Sequence, residues 1–207
     1  MTNNTLLDIQ RLDKSFGEHK ILCQLNLQLV AGQRIAILGE SGCGKSTLLR
    51  IIAGLEQADG GSVQVADQGK CQMVFQDLGL WPSHTAKQQL VMAARASNIA
   101  DAAQAADKLL EQLNIAQISN RKPSTLSGGE ARRLAFARVL ICQPQLILLD
   151  EAFSSLDNES RQRGLDLLEE LLQYTNAAVI LVTHNQDDAL QLNLPIYDLV
   201  AGQLQAR

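Results

Sequence analysis

The stretch AILGESGCGKSTLL, residues 36–49, constrains this chain more than any other, because an apolar run, a glycine-rich turn and a helical pattern follow one another without a spacer. Arg34 to Leu38 reads as a strand, and Lys45 to Ala53 carries apolar residues at helical spacing up to Gly54. Between them Gly39, four residues, then Gly44, Lys45 and Ser46 make the spacing G-x-x-x-x-G-K-S in the context it requires. Glycines there let successive backbone N–H groups turn inward around an anion, and the helix start adds positive potential. Gly39, Glu40, Ser41, Gly42, Cys43, Gly44, Lys45, Ser46 and Thr47 are therefore expected to cradle phosphates. Lys45 would reach the β- and γ-phosphates and the Ser46 hydroxyl would serve Mg²⁺. A tight turn alone explains the glycines but not the Lys-Ser pair that follows. Cys43 is either a small residue that fits the loop or a thiol favoured as thiolate by the helix start.

Three further strands end in polar groups. In PQLILLDEAF, Leu146 to Leu149 is followed by Asp150 and Glu151, and a strand buried on both faces delivers such residues to the C-terminal edge of a parallel sheet. Adjacent acids at that edge divide labour, Asp150 holding the Mg²⁺ shell and Glu151 polarising an attacking water. AVILVTHN repeats the design and ends in Thr183 and His184, whose imidazole would reach a γ-phosphate. CQMVFQ ends in Gln76, which would ligate the metal or hold the water through its amide.

Strand and helix patterns alternate from Glu130 onward: helix to Cys142, strand at Leu146 to Leu149, helix over Glu159 to Tyr174, strand over Ala178 to Val182, helix over Gln186 to Leu192. That alternation implies βαβ units and a mainly parallel sheet, hence an α/β fold. Before it, Leu6 to Arg11 and Leu25 to Leu29 read as short alternating strands, ADGGSVQV and CQMVFQ as two more. Lys87 to Ala96 and Asp101 to Leu113 read as helices with no strand between them, an inserted helical lobe. A chain of 207 residues supports one such unit, not two independent average domains.

The net charge of -4, with no Lys/Arg run beyond two residues, argues against nucleic acid as a partner. No apolar stretch approaches the roughly 18 residues that span a bilayer, and MTNNTLLDIQ lacks a basic n-region and an apolar h-region. The expected location is the cytoplasm. Four scattered cysteines without a CxxC pair argue against disulfide or zinc roles.

In STLSGGEARRLAF, Ser127 and Glu130 form an S-x-x-E capping box, which asks nothing of the two residues between. Gly128 and Gly129 each cost roughly 0.5–1 kcal/mol relative to alanine in a helix. A helix start with a hydroxyl and two N–H groups free of side chains is open to close approach by a phosphate.

Taken together, these segments resemble the ATP-binding cassette (ABC) ATPases, the motor subunits of ABC transporters, over essentially the whole chain. GESGCGKST resembles the family's Walker A, LSGGE its signature, LILLDEAF its Walker B and SSLD its D-loop, while Gln76 and His184 match the Q-loop and H-loop. The resemblance implies a single P-loop NTPase domain over 1–207. Its RecA-like core would cover 1–76 and 144–207 with an N-terminal antiparallel β-subdomain, and the helical subdomain 77–143. It implies a head-to-tail homodimer, or pairing with a similar cassette, around two ATP molecules. Ser127, Gly128 and Gly129 would then act on the nucleotide of the opposite Walker A, with Glu151 as general base, His184 on the γ-phosphate and Asp157 organising contacts across the dimer. Phe16, in KSFGEHKIL, falls where the family stacks an aromatic on adenine.

LGLWPSHT resembles the LFPHMTV region of importer-type cassettes, where a membrane subunit docks, and Trp81 is either a docking surface or packing. The implied partners are integral membrane permease subunits, with a solute-binding protein for an importer, and the implied place is the cytoplasmic face of the inner membrane. Glu130 stands where the family favours Gln. Ala152 stands where it favours Pro, which is expected to loosen the turn after Glu151. The segment between Gly61 and Gln76 is short, and LVAGQLQAR carries no regulatory extension. No NKxD motif supports a GTPase, and residues 48–125 leave no room for the long coiled coils of chromosome-maintenance ATPases. A non-transport cassette ATPase is the alternative.

Overall fold

The computed structural model describes residues 5–75, 77–154 and 156–207. Strands β1 (Thr5–Phe16) and β2 (His19–Val30) form an antiparallel hairpin longer than the alternating segments suggest. The reason is a parity change in each strand. Leu7 and Ile9 face the core, then Arg11 takes φ 46° and the buried positions become Leu12 and Lys14. In β2 the change falls at Gln24, φ 50°, between buried Leu22 and buried Leu25, Leu27 and Leu29. Each irregularity keeps the apolar face on the core while breaking the period of two that marks a strand in sequence. After β3 (Arg34–Leu38) and α1 (Lys45–Ile52), β4 (Gly60–Val65) returns to pair with β1, giving a sheet of order β2-β1-β4.

The remaining elements are β5 (Cys71–Val74), α2 (Ala86–Ala96), α3 (Ala102–Gln112), α4 (Gly128–Leu140), β6 (Leu146–Asp150), α5 (Asn158–Leu172), β7 (Ala178–Val182), α6 (Gln186–Gln191), β8 (Ile196–Val200) and β9 (Gln203–Ala206). A second sheet runs β5-β6-β7-β3-β8-β9, parallel except for β9. Its central strands are buried on both faces. Ile35, Ile37, Leu146, Leu148 and Ile180 pack with α1 and the hairpin, whereas Ala36, Leu38, Ile147, Leu149, Val179 and Leu181 pack toward α2 to α5. The period-2 alternation thus separates two apolar cores rather than core from solvent.

The β8–β9 hairpin has no counterpart in the sequence reading. Its turn places both Ala201 (φ 49°) and Gly202 (φ 77°) in the left-handed region, where Asn-Gly is the recognisable pair and Ala-Gly is not. Gly202 accepts from Cys23 N at 2.9 Å, and a Cβ there would meet Cys23 N at 2.8 Å, so the hairpin closes against β2.

Helix α5 lies close over the segment after β6 because Gly164 has no side chain. A Cβ would stand 2.8 and 2.9 Å from the Cδ1 and Cε1 of Phe153, whose ring stacks on Phe136 of α4 with centroids 6.4 Å apart. Gly164→Ala should lower the unfolding free energy by about 1–3 kcal/mol through overpacking. Urea denaturation measures it, and an unchanged midpoint would mean that the ring yields without strain.

Candidate active site

Because β3, β6 and β7 run parallel, the segments that leave their C-terminal ends meet at one edge. The loop after β3 turns at Gly44, φ 109°, where a Cβ would also stand 2.5 Å from Ile21 Cγ2. Only glycine meets both demands. Gly44 supplies no side-chain cap to α1, and the helix has no acid in its first turn. Its leading N–H groups therefore point into the loop 39–44 with the positive end of the helix dipole behind them. Cys43 lies beneath Gly39, where a Cβ would come 2.7 Å from Cys43 Sγ.

Lys45, 4% exposed, donates from Nζ to the carbonyls of Gly39 and Glu40, each at 2.8 Å, which curls the loop around the ammonium. Ser46 Oγ donates to Asp150 Oδ1 at 2.7 Å. Burial pushes the Asp150 carboxyl above the usual carboxylate range, and the bond from Ser46 offsets part of that. A buried carboxylate beside a hydroxyl, with phosphate oxygens and water to complete the shell, is a donor set that fits Mg²⁺. Among the described residues no cluster of three His, Cys, Asp or Glu side chains offers a metal site of its own.

Glu151 follows with φ 47°, and its N–H donates to Val182 O at 3.0 Å. Ser154 closes the turn, its N–H and Oγ donating to Glu151 O at 3.1 and 3.0 Å. With Ala152 in place of proline, these two bonds and the burial of Ala152 hold the turn. The left-handed backbone aims the carboxylate back along the sheet edge, with Oε1 3.9 Å from Lys45 Nζ and Oε2 3.7 Å from His184 Nδ1. His184 itself is half exposed. The structure thus gathers Lys45, Ser46, Asp150, Glu151 and His184; Gln76 lies outside the described residues. Phe16 is 50% exposed at the end of β1, with Lys14 Nζ 5.0 Å from its ring centroid, so it is not a core residue.

The signature segment stands apart from this cluster. Ser127 caps α4, accepting from Glu130 N at 3.3 Å while Glu130 Oε2 accepts from Ser127 N at 2.8 Å. That backbone bond is the main reason the Glu130 carboxyl titrates below its ordinary range. Neither Gly128 nor Gly129 has positive φ, and a Cβ on either would meet no atom within 4 Å. Nothing within the described chain requires glycine at these positions. They border an open groove of about 460 Å³ between the first turns of α4 and α5, lined also by Ser127, Arg132, Ser160 and Arg163. Asp157 caps α5 through Ser160 N at 2.9 Å, a bond that lowers its carboxyl.

Three groups were not singled out by the sequence. Arg138 of α4 donates to Gly79 O at 2.6 Å and Leu78 O at 3.1 Å and lies 5.1 Å from the Trp81 ring centroid, so Trp81 is packed on one face and 37% exposed overall. Arg161, largely covered, pairs with buried Asp188 at 2.7 Å beside Thr183. A charged residue at helical spacing reads as a solvated face; only the fold brings these inward.

A family model described as ABC transporter matches residues 22–154. The chain is 39% identical over 198 residues to an aliphatic sulfonates import ATP-binding protein of Pseudomonas fluorescens, covering 96% of this chain and 74% of that one. It is 41% identical over 187 residues to another of that description from Pseudomonas syringae pv. tomato, covering 90% and 79%. A sulfoquinovosyl glycerol transport ATP-binding protein of Agrobacterium fabrum is 33% identical over 210 residues, covering 96% of this chain and 59% of that protein. Among solved structures, a chain of a transporter assigned to the metal-chelate ABC type, in an inward-facing conformation, aligns with TM-score 0.85 and 27% identity over 99% of this chain and 83% of that one.

The four thiols differ in surroundings. Burial pushes the Cys71 thiol up to about 12 and also raises Cys142, whereas Cys43 is half-buried in the loop. Iodoacetamide at pH 8 should modify Cys43 while sparing Cys71 and Cys142, read peptide by peptide by mass spectrometry, and ATP should slow Cys43 alone. Equal Cys43 rates with and without ATP would remove the nucleotide from this loop.

Proposed function

Because this chain belongs to the ABC transporter ATP-binding family, we propose that it hydrolyses ATP at the edge of β3, β6 and β7 as the motor of a solute importer. The observation that carries the reading is the convergence of Lys45 and His184 on the two oxygens of Glu151. A carboxylate held between an ammonium and an imidazole at a phosphate-binding helix start is placed to take the proton of a water attacking the γ-phosphate. Gly39 to Thr47 cradle the phosphates, Lys45 neutralises them and Phe16 stacks on adenine. Ser46 and Asp150, with Gln76, would hold Mg²⁺, which when bound draws charge from the β- and γ-phosphate oxygens.

The signature glycines support a dimeric site. No atom among the described residues accounts for their missing side chains, which supports a phosphate brought by another subunit. In a head-to-tail pair Ser127, Gly128 and Gly129 close over the opposite nucleotide and Asp157 sits between the two sites. The core is 1–76 with 144–207, and the helical part, 77–143, receives a permease through Trp81 and its neighbours. No helix among the described residues is long and apolar enough to cross a membrane. The names of the import relatives support separate permease subunits as the translocation path, with the chain working against them from the cytoplasmic face. The relatives above are named for aliphatic sulfonates and sulfoquinovosyl glycerol, and a sulfonated solute delivered by a binding protein is the cargo class we carry over.

Glu151→Gln should bind ATP, lose at least about 100-fold in phosphate release and accumulate as an ATP-bound dimer on size exclusion. Normal turnover would overturn the general-base role. In that background Ser127→Arg should retain ATP binding and abolish the dimer, while Gly129→Ala should cost no stability and gain up to about 1 kcal/mol. A normal ATP-induced dimer in Ser127→Arg would sink the trans reading.

A further inference from the structure

His184 is half exposed, and its Nδ1 lies 3.7 Å from Glu151 Oε2. What fixes its backbone lies behind it. Thr183 N donates to Ile37 O at 3.2 Å, and the Thr183 hydroxyl accepts from Asn185 N at 3.1 Å, so one side chain spans the histidine. That hydroxyl in turn donates to Asp188 Oδ2 at 2.6 Å, and Asp188 Oδ1 accepts from Arg161 Nε at 2.7 Å. Asp188 is 2% exposed and both its oxygens are used inside this chain of bonds. Arg161 Nη2 is buried with no partner among the described residues, so the guanidinium is held chiefly by Asp188. Arg161 sits one turn into α5, and its N–H donates to the carbonyl of the cap residue Asp157 at 2.9 Å.

A first-turn acid such as Asp188 ordinarily serves the helix dipole from the surface. Here it is buried and aimed sideways, at the residue before His184 and at the helix that follows the 157 loop. A buried ion pair is weak evidence for stability, because desolvation offsets most of the attraction. Its geometry carries the information. The carboxylate links the first turn of α5 to the backbone that bears His184.

Resting on the assignment of His184 to the γ-phosphate, we propose that Asp188 and Arg161 are positioning residues for His184. They tie the placement of its imidazole to that of the Asp157 loop, so that contact of this loop with a partner cassette aligns the histidine. The pair touches no nucleotide and acts only through His184.

The test is steady-state hydrolysis of MgATP by the full chain, with ATP affinity and thermal midpoint measured in parallel. Asp188→Asn is isosteric and sets an amide N–H₂ against groups that donate. It should lower kcat about tenfold or more, as a small misplacement of a reacting group does, with KM within about twofold. In a His184→Ala background the same substitution should change kcat by less than about twofold, since both act through one imidazole. Thr183→Val, which removes only the hydroxyl link, should behave likewise and serves if Asp188→Asn does not fold. An undiminished kcat in these variants, or a loss of the same factor with and without His184, would overturn the proposal while leaving the role of His184 intact. Parental turnover in His184→Ala alone would overturn both.

Discussion

Three strands buried on both faces have to lie side by side, and short connections through helices make them parallel. That constraint places the ends of β3, β6 and β7 at one edge, and the five side chains the structure gathers there hang from those ends. Lys45 and Ser46 follow β3, Asp150 and Glu151 end β6, His184 follows β7. The Ser46–Asp150 bond then locks the phosphate loop to the neighbouring acid. Remove the parallel register and the same residues would be scattered over two edges.

The two glycine-rich helix starts solve different problems. Gly44 is demanded from within, by its left-handed backbone and by Ile21 at its back. Gly128 and Gly129 are demanded by nothing within reach among the described residues, and their helix is already capped by Ser127 and Glu130. An uncapped start offers N–H groups to a ligand held by this chain; a capped start stripped of side chains offers room to one held elsewhere. The contrast is the physical basis for reading the first as one wall of a nucleotide site and the second as the other wall, contributed to a partner.

Helix α5 carries this division further. Gly164 allows it to lie against Phe153 just beyond Glu151, and Arg161 joins it to Asp188 beside His184. The helix after the 157 loop is therefore packed beside both strand ends whose side chains face the phosphate in the proposed site. On the proposal above, a displacement of that loop by a partner would be passed on through rigid packing and the Arg161–Asp188 ion pair rather than through a flexible tether.

Much was legible in the sequence. The G-x-x-x-x-G-K-S loop, the acids after LILL and the histidine after AVILV were readable because apolar runs mark buried strands and their ends mark a sheet edge. The capping box at Ser127 was readable for the same local reason. The full length of the first hairpin was not, because Arg11 and Gln24 shift the side-chain parity, nor was the β8–β9 turn, which uses Ala-Gly where Asn-Gly would announce it. Distances between strand ends, the inward turn of Arg161 and Asp188, and the empty space around Gly128 and Gly129 depend on how elements separated by tens of residues pack. Local pattern fixes which residues sit at the end of a strand; only the packed fold decides which ends meet, because burial and contact are properties of pairs distant in the chain.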